Sequence, residues 1–309
     1  MSRKADEKQK EEKMPDFWTH IIAGNEIKNR IKDDNLKKII NDNQKLFNLA
    51  CQGPDPFFYN QFWPWIKNKE GPPQADLIHH SSGEVIFRNL LIYYKYRDIL
   101  DENEIPASEK KEKLLVYLLG FAAHFAVDSV CHPFVIENCG SESNHKLFEM
   151  KLDKYMVETK FNKNVIKLDP LKYIDIKEGI EEIVEFYIFL YPKLSQEKIS
   201  DELIKNAYKD FKTFLKIFYD PKKLKYFLFV IIDKFIEHDI ASYNFYLAEK
   251  CDYWDENIEE FYKEFDTLYY FSINKGISLF ENIMAYLSGD ITLESAVSDF
   301  IKTDFLGKK

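Results

Sequence analysis

Apolar residues recur at intervals of three and four along most of the 309-residue chain, the spacing of one face of an α-helix. The first such run, "MPDFWTHIIAGNEIKNRI", sets Ile21, Ile22, Ile27 and Ile31 roughly on one side and predicts a helix with His20 near its start. A second helix is predicted over "NLKKIINDNQKLFNLACQ"; it ends at "GPDP", whose two prolines place Asp55 in a turn. From Phe57 to Gln74 the pattern is aromatic and irregular, and helical periodicity resumes with "DLIHHSSGEVIFRNLLIYYKYRDIL", so a third helix follows His79 and His80. "SEKKEKLLVYLLGFAAHFAVDSVCHP" predicts a long helix, capped by Ser108, that stops where Pro133 restricts His132. The next helix, "SNHKLFEMKLDKYMVET", is capped by Ser143 or Asn144.

Beyond residue 160 come further amphipathic runs, among them "IKEGIEEIVEFYIFLY", "DELIKNAYKDFKTFLKIFYD" and "PKKLKYFLFVIIDKFIEHDIASYNFYLAEKC", with no internal repeat. Ten glycines and eleven prolines are too few to punctuate many short strands, so the pattern predicts an all-α protein. The expected organisation is a disordered charged tail over 1–13, a helical core over 14–160, and helices over 161–309 packed on that core as one domain.

Charge narrows the partners. A formal net charge of −9 repels nucleic acid and anionic surfaces on average, so nucleic acid is disfavoured as a partner unless a basic groove forms locally. The start, "MSRKADEKQKEEK", has no apolar signal-peptide core, and no apolar run reads as long enough to span a bilayer; a cytoplasmic location is expected. Cys51, Cys131, Cys139 and Cys251 form no CxxC pair, which predicts reduced and mostly buried thiols rather than a disulfide framework or zinc ribbon. No obligate protein partner is predicted.

The chemistry concentrates in "GFAAHFAVDSVCHPF", where His124, Asp128 and His132 lie four residues apart in an apolar run. Such positions drift by only about 40° and climb about 6 Å per step, so all three line one stripe of a helix. Seven histidines and 52 acidic residues in this length make a chance His-x3-acid-x3-His on the order of 0.03 per chain, which leaves coincidence a poor account. "NHKLFE" repeats the device with His145 and Glu149, and packing the two helices together brings five donors towards one cleft. Imidazole and carboxylate without thiolate suit zinc. With His20, Asp55 and His79 (or its neighbour His80) there are eight candidate ligands, more than one tetrahedral ion uses, so two or three zinc ions are expected per chain. His238 has no partner at ligand spacing, and Cys131 reads as a small buried apolar residue.

Taken in order, "MPDFWTH", "ACQGPDPFFY", the His79/His80 pair, "GFAAHFAVDSVCHPF" and "NHKLFE" resemble the zinc-dependent phospholipase C family, whose fold is shared with the single-strand-specific zinc nucleases. The resemblance spans roughly residues 14 to 155. It implies one zinc held by Asp55, His79, His124 and Asp128, a second by His132, His145 and Glu149, and a third shared by Asp128 and His20. In relatives the N-terminal amine and carbonyl complete the third sphere; here thirteen residues precede Met14, and a start at Met14 with loss of that methionine before Pro15 would free an amine near His20. The Asp128–His132 gap is also shorter than in the secreted phospholipases.

Phosphodiester hydrolysis needs a nucleophile at neutral pH and neutralisation of phosphoryl charge, both of which zinc provides. Asp55 is the candidate catalytic base, set at the rim of the site, and Phe58, Tyr59 and Trp63 of the neighbouring aromatic segment are candidate substrate contacts, able to meet a lipid interface or simply to fill a core. The expected activity is phospholipase C-like hydrolysis of a phospholipid, with peripheral membrane contact. The alternatives are a phosphodiesterase or single-strand nuclease on the same trinuclear scaffold, or a non-catalytic metal-binding protein whose ions support folding.

Overall fold

In the computed structural model, residues 17–100, 107–139, 142–236, 239–244, 258–300 and 303–308 are described. The first helices are α1 (Phe17–Arg30), α2 (Asp34–Asp42), α3 (Gln44–Ala50), α4 (Pro72–His79), α5 (Gly83–Leu100), α6 (Ala107–Asn138) and α7 (Glu142–Met156). They are followed by α8 (Leu171–Ile174), α9 (Ile180–Leu194), α10 (Asp201–Phe218), α11 (Leu224–Ile236), α12 (Ile258–Ser288) and α13 (Leu293–Val297). No strand occurs among the described residues, so the all-α expectation holds. The tail 1–13, Met14, His238 and Cys251 lie outside the described residues.

Helix α6 organises the rest. Leu114, Tyr117, Phe121, Phe125 and Phe134 are all buried, and a helix that is apolar on every side requires neighbours on every side. They are α1, α2, α3, α5, α7, α9 and α12. By length and composition Glu109–Asn138 is apolar enough to cross a bilayer, contrary to the expectation from sequence, but 94% of its most apolar window is buried inside the protein. Gly120 lets α3 cross closely: a Cβ there would lie 2.4 Å from the Ala50 Cβ and 2.8 Å from the Phe47 carbonyl oxygen.

Four predicted boundaries are corrected. Helix α6 continues through Pro133 to Asn138, because packing of Phe134 against Phe148, Phe261 and Phe265 holds the turns beyond the missing N–H. The predicted second helix is two, since Asn43 closes α2 with its backbone N–H on the Ile39 and Ile40 carbonyls before α3 begins. His79 is the last residue of α4, whose first turn accommodates Pro72 and Pro73 as a helix start does, and α5 begins separately at Gly83. Ser108, Ser143 and Asn144 lie inside α6 and α7, which start at Ala107 and Glu142, so none of them is an N-cap.

The aromatic segment after Asp55 is core. A 3-10 turn, Asp55–Tyr59, buries Phe57, Phe58 and Tyr59, and Phe62 follows them in against Phe214 and Phe218 of α10. Trp63 stacks on Trp65, and only Trp65 is widely exposed, at 54%. Cys51 and Cys131 are buried, and Cys139 is half-buried.

Candidate metal centre

Five separate elements deliver the eight predicted donors. His20 comes from the first turns of α1, Asp55 opens the 3-10 turn, His79 ends α4, His124, Asp128 and His132 line α6, and His145 and Glu149 lie on α7. Three groups of donor atoms converge: His20 with His124 and Asp128, Asp55 with His79 and His124, and His132 with His145 and Glu149. His80 is exposed, whereas His79 is buried within the group it forms with Asp55 and His124.

Asp128 joins the groups. Its Oδ2 lies 3.1 Å from His124 Nε2 and 3.6 Å from His79 Nε2, while its Oδ1 lies 3.2 Å from His20 Nε2 and 3.9 Å from His132 Nδ1. One carboxylate thus presents its two oxygens to two different sets of histidines, the disposition of a bridging ligand. Asp55 Oδ1 is 3.1 Å from His79 Nε2, and Asp55 Oδ2 is 3.8 Å from His124 Nδ1. Donors about 2.0–2.1 Å from a tetrahedral zinc stand ~3.3 Å apart, so these spacings suit a shared cation.

The hydrogen-bond inventory agrees. Both oxygens of Asp55, Nε2 of His124, Nε2 of His132 and Nδ1 of His20 are buried without a hydrogen-bond partner. Orphaned polar atoms of this kind cost about 1–3 kcal/mol each unless something else satisfies them. Meanwhile His79 Nδ1 is 2.8 Å from the Ala75 carbonyl and His124 Nδ1 is 3.2 Å from the Cys51 carbonyl. Donation there fixes the tautomer that leaves each Nε2 lone pair facing the donors opposite, the usual outer support of a metal-binding histidine. The residues present therefore fit zinc.

Electrostatics push the same way. Burial opposes charge on His79, but the facing carboxylates of Asp128 and Asp55 prevail and raise it to about 10. Burial also opposes charge on Asp128, yet the histidines around it, His124 and His20 foremost, hold its carboxyl well below the usual range. His20 is raised, its burial outweighed by Asp128, whereas burial lowers His132 and keeps it neutral. In the second group His145 Nε2 and Glu149 Oε1 are 2.7 Å apart, and the His132 and His145 rings lie 5.4 Å apart.

These side chains border a cleft with about 520 Å³ of empty space, the open solvent at its mouth included. His20, Asp55, His79, Asp128, His132 and Glu149 line it, with Asp76 and an apolar wall that includes Phe58, Val127, Val135 and Leu306. Of the three expected substrate contacts only Phe58 lines the cleft; Tyr59 is buried against Phe211 and Phe214, and Trp63 stacks on Trp65, both serving the packing of the aromatic segment. Asp55 is 1% exposed, so it belongs to the floor of the site rather than to an open rim.

Several contributors were missed in the sequence. Asp153, one turn beyond Glu149, accepts from the backbone N–H of Trp18 (2.9 Å) and Thr19 (2.7 Å) and from the Thr19 hydroxyl (2.9 Å). It caps α1 from another helix, and its burial raises its carboxyl to about 6 despite those donors. The signal was present, since His145, Glu149 and Asp153 repeat the four-residue spacing of α6. Gly53, at φ +52°, backs His124 so closely that a Cβ would fall 2.2 Å from the ring. Phe305 is fully buried 5.5 Å from the His79 ring and 5.7 Å from the His124 ring. Nothing local marked it.

An all-helical scaffold that gathers imidazoles and carboxylates from five elements into one cleft offers three groups of donors able to hold metal. Residues 19–220, about two thirds of the chain, match the family described as zinc dependent phospholipase C, and the chain belongs to that family. The match runs past the last recognised motif, at Glu149, to the end of α10. No curated protein and no solved structure matches the chain.

Proposed function

We propose that the protein is a zinc-dependent phosphoric diester hydrolase that cleaves a phospholipid to diacylglycerol and a phosphorylated head group. The observation that carries this reading is the convergence of eight imidazole and carboxylate donors, seven of them buried and His132 half-buried, around one cleft in a chain of the zinc-dependent phospholipase C family. Asp55, His79, His124 and Asp128 would hold one ion, and His132, His145 and Glu149 a second. His20 and the remaining oxygen of Asp128 would contribute to a third. Zinc, when bound, supplies Lewis acidity towards water and towards the phosphoryl oxygens.

The chain's own groups do the rest. Asp55 faces the cleft with both oxygens free of hydrogen bonds, placed to take the proton of the attacking water. Phe58, Val127, Val135 and Leu306 give the apolar moiety beside the phosphate a surface from which water is excluded. Among the described residues no lysine or arginine lines the cleft, which supports a lipid over a polyanionic strand, since a single-strand nuclease needs a cationic groove.

Zinc-loaded protein assayed on phosphatidylcholine, bis-nitrophenyl phosphate and single-stranded DNA tests this reading. Turnover of the first two with the third untouched is expected; cleavage of DNA alone would replace the reading with a nuclease, and no turnover of any would leave a metal-binding protein. Asp55→Asn, which keeps an oxygen donor but loses the base, is expected to retain most zinc while turnover falls by about 10²-fold or more. Unchanged turnover would remove Asp55 from the chemistry.

A further inference from the structure

Helix α11 starts just beyond the family match, and one of its sides is bare. Leu224, Phe227, Leu228, Ile231 and Phe235 are 68%, 55%, 54%, 55% and 82% exposed. Their spacing of three and four places them in one stripe, while Phe229 on the other side packs on Phe218 and Ile232 joins the core. Among the described residues the other exposed apolar groupings are smaller, Val85, Ile92 and Tyr96 on α5 and the adjacent Tyr270 and Phe271, so this five-residue stripe is the patch that calls for an occupant.

The charged side chains next to the stripe are mainly cationic. Lys222 and Lys223 precede its first residue and Lys234 stands at its end, while the Lys225 ammonium is turned onto the carbonyls of Lys216, Ile217 and Tyr219. Two carboxylates of the same segment are taken up by backbone: Asp220 is buried and accepts from the Leu224 and Tyr226 N–H groups, and Asp233 accepts from those of Ile240 and Ala241, whereas Asp239 beyond the helix is exposed. A protein of net charge −9 thus presents a local cationic border around exposed Phe, Leu and Ile. That pairing fits the boundary of an anionic bilayer, where acyl chains meet negative head groups. A second copy of the same stripe would oppose lysine to lysine.

We propose that α11 docks the protein on anionic phospholipid membranes. This rests on the phospholipid reading of the cleft and adds the surface that brings the cleft to its substrate. The link between them is solid packing: Phe229 meets Phe218, Phe218 meets Phe62 and Phe214, and Phe214 meets Tyr59, the neighbour of Phe58 in the cleft wall. Under α11, Tyr243 contacts Phe214 and Phe218 and receives the Lys146 ammonium 3.2 Å from its ring centre, next to His145.

The test is sedimentation of the full chain, with and without zinc, on vesicles of phosphatidylcholine with phosphatidylserine and on vesicles of phosphatidylcholine alone. The expected result is binding to the anionic vesicles that weakens with salt, and loss of roughly tenfold or more in affinity for Phe227→Ser/Phe235→Ser. A Lys222→Glu/Lys234→Glu variant is expected to lose the preference for phosphatidylserine. Both variants are expected to hydrolyse bis-nitrophenyl phosphate as the unaltered protein does. Equal vesicle binding by the serine variant and the unaltered protein overturns the proposal, whatever the activity. So does self-association in lipid-free solution that the same serines abolish, when no vesicle binding is seen. Vesicle binding lost in the variants, in a protein without any diesterase activity, upholds the surface and removes the hydrolase reading instead.

Discussion

At Asp128 and His79 the donors that await zinc hold one another in its absence. His79 lies raised to about 10 from 6.5, so the stability it contributes to metal-free protein is complete below pH 6.5 and is lost as pH rises towards 10. Asp128 is depressed, and its contribution is lost at the opposite end, as pH falls through its own lowered range. The melting temperature of metal-free protein is therefore expected to fall on raising pH from 6.5 to 10. Zinc must displace the His79 proton, so its apparent affinity is expected to rise about tenfold per pH unit in that window, measured by chelator competition. A pH-independent affinity would show that His79 binds no zinc. Gly53→Ala puts a methyl group into the His124 ring at a left-handed backbone position and is expected to lower both zinc content and melting temperature; normal zinc content in elemental analysis would contradict the supporting role of Gly53.

Helix α1 shows how an element is placed for a site. Its own sequence supplies no acidic residue in its first turn, and the Asp153 carboxylate on α7 takes the N–H groups of Trp18 and Thr19 instead. This sets the first turn, and with it His20, against Asp128. Asp153→Ala leaves two buried N–H groups without acceptors and is expected to cost about 2 kcal/mol in denaturant unfolding. Under the proposed assignment, zinc bound per chain should fall by the ion assigned to His20, whereas Asp153→Asn, which retains one acceptor oxygen, should recover part of both losses. A loss of stability with full zinc content would confine Asp153 to folding alone.

Across the whole molecule the site depends on chain far from its motifs. Residues 303–308 return to the centre, where the Phe305 N–H donates to the His79 carbonyl at 3.1 Å and its ring fills the space among His79, His124, Phe121 and Phe125. Phe305→Ala opens a cavity beside two ligand histidines and is expected to cost about 3–5 kcal/mol, with zinc lost at a lower chelator concentration than from unaltered protein. Chelator sensitivity equal to that of the unaltered protein would show that Phe305 supports the fold without supporting the ligands.

Local spacing was enough to determine the helical class, the stripe His124–Asp128–His132 and the pair His145–Glu149, because a regular helix converts residue number directly into direction. The same spacing did not separate Asp153 the cap from Glu149 the candidate ligand, since both occupy one face of α7 and only the neighbour they meet distinguishes them. Tertiary packing alone decided that α6 runs on through Pro133, that the aromatic segment is core, and that Phe305 closes the site. Each of these depends on contacts between residues remote in sequence, whose free energy outweighs local preference and leaves no periodic mark on the chain.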